Sequence, residues 1–552
     1  MWSPHPEARF FNNPVAPNAC LIASRQDKQT SDYAQNATGV LFQSPNGGVF
    51  MKLHRGFALA ASLLGASACV ATDEPETSEA PQALTLTDRI NACSADPRVV
   101  LGKLSVDTCV GADLFFRETF NGNGRSCGTC HRVDRNLAID PAFIATLGSR
   151  DPLFVAEFDP NLIQLEVPAM MRKFGLILEN VDGFAPDPRT NFVLRSVPHT
   201  LSLATSVTDP PNTPNPPANR TGWSGDGAPN SGALRDFQQG AITQHYTKTL
   251  SRVAGTDFRL ATDGELDRID HFMRQIGRLN EIDLNTVVLS DAGADAGRTL
   301  FLTIGCNGCH GNAGANASFG GGGNRNFNTG VESARNAELA AFPHDGGFGR
   351  TAQPDGSFGD GTFNAPPLIE AADTGPFFHT AVTITGTENH DTAFAQTIEE
   401  AVAFYDTAAF NNSPAGLAVP IELAGDEIDN IGRFLRALNA AFNAAQAVKR
   451  LDAAVAVING FGDGARNIEF QLMRLAAVDL QDAVTELNAV SLNPTQASSF
   501  AQAVNLIRNA LNATTISDRL SFTTQAKQVT ASAAPGLGTN LSFQIGDGTL
   551  AF

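Results

Sequence analysis

Apolar positions in "IELAGDEIDNIGRFLRALNAAF", residues 421–442, fall at helical spacing. Ile428, Ile431, Phe434, Leu435 and Leu438 share one face and predict a helix near the end of a domain. From about 443 the chain turns to Ala, Val, Leu, Asn and Gln, and the same period runs through "EFQLMRLAAVDLQDAVTELNAV". That predicts a helical extension over 443–552, closing on a short strand-like tail, "LSFQIGDGTLAF". Upstream, "GADLFFRETF" and "GRTLFLTIG" each carry Gly-x-x-Leu-Phe on a helical lead-in. This weak internal repeat predicts two related domains in tandem, 85–285 and 286–442. The runs "GNAGANASFGGGGNRNFNTG" and "DGGFGRTAQPDGSFGDGTFN" hold too much Gly and Asn for regular helix and are expected as long loops. The expected fold class is mainly α.

The N-terminal pattern is of another kind. From Met51, "MKLHRGFALAASLLGASAC" gives basic residues, an apolar run and then small residues, the order of a secretory signal over 51–68. The run is too short to span a membrane as a helix. Residues 1–50 upstream of a signal have no physical role, so Met51 is the expected natural start and 1–50 an extraneous leader. Ala66-Ser67-Ala68-Cys69 resembles a lipoprotein box with Cys69 lipidated, although ordinary signal peptidase would accept the same bond. Residues 69–84, acidic and proline-bearing, read as a tether. The expected location is the periplasm, with a lipid anchor to the outer membrane.

Composition narrows the class. The 552 residues are 42% hydrophobic and 17% charged, as in a globular protein, with a formal charge of −19. That charge argues against nucleic acid and anionic membrane surfaces as partners, leaving contact with a membrane to the lipid anchor alone. Of eight cysteines, Cys20 lies in the leader and Cys69 at the cleavage site. Cys93 and Cys109 are expected to form a disulfide in an oxidising compartment.

The other four make two copies of Cys-x-x-Cys-His: Cys127, Cys130 and His131, then Cys306, Cys309 and His310. A zinc knuckle or a redox dithiol is the plain alternative. Two copies in an exported chain, each after the same lead-in and each ending in His, point to covalently attached haem c. Two thioethers would hold each porphyrin, with His131 and His310 as proximal iron ligands. The architecture then becomes two tandem cytochrome c-type haem domains with long loops, plus the helical extension.

At these residues the chain resembles the bacterial dihaem cytochrome c peroxidase family, including its MauG-like branch, over roughly 85–442. The second domain carries the resemblance in "FNAPPLIEAADTGPFFHT", 363–380, and "TIEEAVAFY", 397–405. The first carries it less closely in "LRSVPHTLSL" and "GWSGDGAPNSGALRDFQQGAI". The resemblance implies that Trp223 bridges the haems and that Asp236 moves protons over the N-terminal haem. It implies Tyr405 as ligand of the second iron, where peroxidases usually have methionine; the sole methionine after His310 is Met473, in the extension. No histidine follows His131 until His199, which favours an open first iron. His199 and His245 stay as distal candidates there, and His379 and His390 compete with Tyr405, with His379 expected beside the haem edge.

The activity so implied is reduction of hydrogen peroxide to water at the peroxidatic N-terminal haem. Electrons from a periplasmic donor, a small cytochrome or a cupredoxin, would pass through the electron-transfer C-terminal haem. A MauG-like oxidase, an oxygenase like the rubber-cleaving dihaem enzymes, and a non-enzymatic electron carrier remain as alternatives. Calcium between the domains, common in the family, stays open: Ser196 replaces the expected asparagine, and Asp345, Asp355 and Asp360 read first as turn residues.

Overall fold

The computed structural model describes residues 84–181, 183–184, 187–207, 220–227, 232–318, 324–349 and 358–552. The leader, the signal, the tether with Cys69, and Asp355 lie outside them. The chain is mainly α, about 53% helical, with only short strands.

Two helix crossings organise it. The first lead-in helix, Val106–Arg117, is capped by Ser105, whose side chain accepts from the Thr108 N–H; the second, Ala292–Thr303, is capped by Asp291, which accepts from the Ala294 N–H. The first packs on the helix Asp263–Arg274, the second on Gly425–Phe461. The repeat glycines sit at the crossings. A Cβ on Gly111 would lie 2.0 Å from the Arg268 carbonyl oxygen, and one on Gly297 would lie 1.8 Å from that of Asn430. Four residues on, the repeat phenylalanines are buried against partner phenylalanines. Ring centroids are 5.4 Å apart for Phe115 and Phe272, and 5.3 Å for Phe301 and Phe434. The internal repeat is thus one packing arrangement used twice. Cys93 and Cys109 are disulfide-bonded, with Cα atoms 5.8 Å apart, tying the helix Leu86–Ser94 to the first lead-in.

A hairpin that the sequence pattern did not reveal, Leu176–Asn180 paired antiparallel with Phe192–Ser196, inserts between the halves. The described residues of the glycine-rich region 311–397 form loops, short 3₁₀ turns and the two-residue strands Asn326–Phe327 and Phe363–Asn364.

The expected boundary at 442/443 falls inside one helix. Gly425–Phe461 runs on without Pro or a glycine break at that point, and Leu451, Ala454, Val457 and Ile458 continue its buried face. It packs with Arg466–Ala489, Pro494–Asn512 and Ile516–Ala533 as a four-helix bundle, joined by short connections that make neighbours antiparallel. The described residues form one compact unit, so the extension is no separate body. The tail is a clasp more than a strand. Gly538–Thr539 pairs with Val288–Leu289, and Asp547 accepts from the Ser105 N–H and the Thr108 hydroxyl, both at 2.9 Å. Phe552 packs on Phe116 with centroids 5.4 Å apart. Among the described residues no helix is long and apolar enough to cross a membrane.

Candidate functional site

Each lead-in delivers one helical turn, Cys127–Cys130 or Cys306–Cys309. The backbone N–H of the following histidine closes each turn, donating 2.9 Å to the carbonyl of Cys127 or Cys306. His131 Nδ1 lies 2.9 Å from the Leu137 carbonyl oxygen, and His310 Nδ1 lies 3.0 Å from that of Pro366. A carbonyl only accepts, so Nδ1 carries the proton and Nε2 is left as a ligand. Burial pushes both imidazoles down to about 4, which keeps them neutral.

Both turns open on one cavity of about 640 Å³, and all four cysteines and both histidines line it. The four thiols are not in disulfides. Burial pushes Cys127 and Cys309 up to about 11, and Cys130 and Cys306 up to about 12. A redox dithiol needs the opposite shift. Among the described residues no three of His, Cys, Asp and Glu converge as a metal-ion cage, so a zinc knuckle has no ligand set either. Sulfurs and an oriented imidazole on the wall of an apolar cavity fit a porphyrin bound through thioethers, in which the cysteines bond carbon and only the histidine meets iron.

Trp223 lines the cavity where the halves meet. Its indole N–H donates to the Ser196 carbonyl at 2.9 Å, and its own carbonyl accepts from the Asn364 N–H at 2.7 Å. Its ring lies 6.2 Å from that of His379, which stacks on Phe363 at 3.7 Å. His379 Nε2 is 3.0 Å from Glu332 Oε1, so that nitrogen is engaged by a carboxylate. Tyr405 lines the same cavity beside Phe404 and Phe410, and burial together with the nearby Cys306 and Cys309 sulfurs raises its phenol. Met473 is remote: its sulfur accepts from Thr523 within the helical bundle.

His199 and His245 both line the cavity. His199 is half-buried, with both ring nitrogens enclosed and without a well-formed hydrogen bond, the Pro367 backbone only approaching them. Burial first, and then the Arg125 and Arg252 charges, pushes His245 down to about 3. His390 lies outside the lining, 3.2 Å from Asp429.

Asp236 is displaced from the role the resemblance gave it. It is exposed in the first turn of the helix Leu234–His245, whose Phe237, Gln238, Ala241 and His245 turn toward the cavity. Helical phase puts position 236 on nearly the opposite face from Gln238. Of the calcium candidates, Asp345 pairs with Arg195, and Asp360 accepts from the backbone N–H and hydroxyl of Thr362.

Among the lining residues that the sequence reading did not single out, three bear on the chemistry. Glu179 stands on the unforeseen hairpin. Met273 lies on the helix Asp263–Arg274, a segment the sequence analysis did not single out. The Tyr246 hydroxyl donates to Cys127 Sγ at 3.0 Å, although it is 119 positions away in sequence. Compared with known proteins, the chain matches no family model, no curated protein and no solved structure, so the reading of the site rests on its own residues.

Proposed function

We propose that the chain is a dihaem c-type cytochrome of the cytochrome c peroxidase kind, reducing hydrogen peroxide to water. One observation carries this: two Cys-x-x-Cys-His turns, each with its histidine clasped at Nδ1, open on a single cavity with Trp223 at the junction. Haem bound there supplies the redox chemistry of peroxide cleavage. Cys127, Cys130 and His131 would hold the peroxidatic group, and Cys306, Cys309 and His310 the electron-transfer group. Trp223, fixed at both its indole N–H and its backbone carbonyl, spans the gap between them for electrons. The apolar wall excludes bulk water and sharpens every electrostatic contact inside. The periplasm, a lipid anchor at Cys69 and a small cytochrome or cupredoxin donor belong to the same proposal.

Tyr405 favours a second reading. A phenol beside the second motif, with Met473 engaged elsewhere, suits a MauG-like enzyme that withdraws electrons from a partner protein's side chain. The test uses protein begun at Met51 and exported from a host that attaches haem c. Peroxide should oxidise a reduced small cytochrome or cupredoxin, two electrons per peroxide consumed. Consumption of peroxide with neither donor oxidised would favour the MauG-like reading. A protein that holds haem and ignores peroxide would be an electron carrier.

A further inference from the structure

The cavity needs a group that can move a proton, and Asp236 is not in it. Among the described residues lining the cavity, Glu179 is the only carboxylate. We propose that Glu179 is the proton-transferring residue on the first-motif side of the cavity, an inference that rests on the peroxide reading above.

Strand geometry places it there. Ile177 and Glu179 lie two apart on Leu176–Asn180 and share a face, and both line the cavity. Ile177 belongs to the apolar cluster against which Cys130 packs, so this face serves the first motif. The alternate positions are committed elsewhere. The Leu178 N–H donates to Glu166 at 2.9 Å, and the Asn180 side chain holds the Pro188 carbonyl and Arg252.

The surroundings raise the carboxyl's hold on its proton above that of an ordinary carboxylate. Arg195, on the return strand, reaches Glu179 through one contact of 3.1 Å. The same guanidinium makes two shorter bonds to Asp345, of 2.6 and 2.9 Å, so most of its charge is already answered. Glu166, the other carboxylate nearby, is paired with Arg125 at 2.7 Å. Burial first, with Asp345 and Glu166 adding to it, raises Glu179 above the usual carboxylate range despite Arg195.

In the reaction, the Glu179 carboxyl gives its proton to the outer peroxide oxygen, which leaves as water while the O–O bond breaks. The carboxylate recovers a proton from water. Per peroxide, two protons and two electrons enter and two waters leave, the electrons coming from the periplasmic donor named above.

The test compares holoprotein carrying Glu179→Gln and Glu179→Asp with wild type at equal haem content. The Gln variant should lose about 10²–10⁴-fold in peroxide turnover, the usual worth of a positioned acid–base group. The Asp variant should recover part of the rate with a displaced pH profile. An infrared pH titration gives the readout independent of turnover: wild type should show a carboxyl that gives up its proton above the usual carboxylate range, a signal the Gln variant lacks. Wild-type turnover and pH profile in a fully loaded Gln variant would overturn the assignment alone. Wild-type protein that holds two haems and leaves peroxide untouched would overturn the peroxide reading, and this role with it. Should the Gln variant not fold, an unchanged pH profile in the Asp variant overturns the assignment.

Discussion

Gly111 and Gly297 show how a single missing methyl sets the geometry of a site. Each lets a lead-in helix approach a partner backbone more closely than any side chain allows; the second lead-in reaches its Cys-x-x-Cys turn after two residues, 304–305, and the first after the nine residues 118–126. Gly111→Ala or Gly297→Ala must push two helices apart, at a cost of about 1–3 kcal/mol. The denaturant midpoint should fall and haem loading at the adjacent motif should drop; an unchanged midpoint would mean that the crossing is looser than it looks. Here the sequence was half legible. Gly-x-x-Leu-Phe could be seen to repeat, but its cause, the Arg268 and Asn430 backbones, lies more than a hundred positions downstream of each glycine. The place of each motif histidine at the end of its Cys-x-x-Cys turn was legible, because that spacing is local. Asp236 was placed by resemblance alone, and helical phase turns it away from Gln238 and the cavity.

Among elements, the helix Arg466–Ala489 presents Asp479, Asp482 and Glu486 on one buried face. Arg450 meets Asp479. Arg436 is held by both oxygens of Glu399 at 2.6 Å and has one nitrogen left for Glu486. Asp482 has an amide contact from Asn136 at 3.4 Å and like charges around it. Burial and neighbouring carboxylates push Asp479 up to about 6, and Asp482 and Glu486 up to about 8. Folding therefore favours their protonated forms. The stability this contributes is complete below about pH 4, where the unfolded groups also hold protons, and is lost as pH rises through 6 to 8. The melting temperature should fall across that window, and Asp482→Asn, which keeps the contact to Asn136, should flatten the fall. Parallel declines in wild type and variant would contradict the assignment. The 3.6-residue period predicted these helices well. It could not predict that Gly425–Phe461 crosses the expected boundary, since periodicity marks a helix face and not a domain edge. The hairpin at 176–196 was missed because both its strands are buried almost throughout, which erases the alternation that betrays a half-exposed strand.

For the molecule as a whole, the bundle and tail bind the two repeats into one body. The tail follows the link between the repeats, caps the first lead-in through Asp547 and ends against Phe116, whose ring lies where a Cβ on Gly128 would sit, at 2.6 Å. On the proposed function, electron sharing across Trp223 would require a fixed distance between the two motifs, and the packing of the extension against both repeats suits that requirement. No catalytic constellation was visible in residues 443–552, and the structure gives them a packing role that composition alone could not localise. The central claim is that two covalently held haems sit in the joined cavity, one iron open and the other closed. Ferric electron paramagnetic resonance on protein begun at Met51 and exported from a haem-attaching host tests it most directly. The account predicts two haems per chain, with a high-spin signal beside a low-spin one. A chain without attached haem, or two low-spin signals that persist after one electron is added, would contradict it.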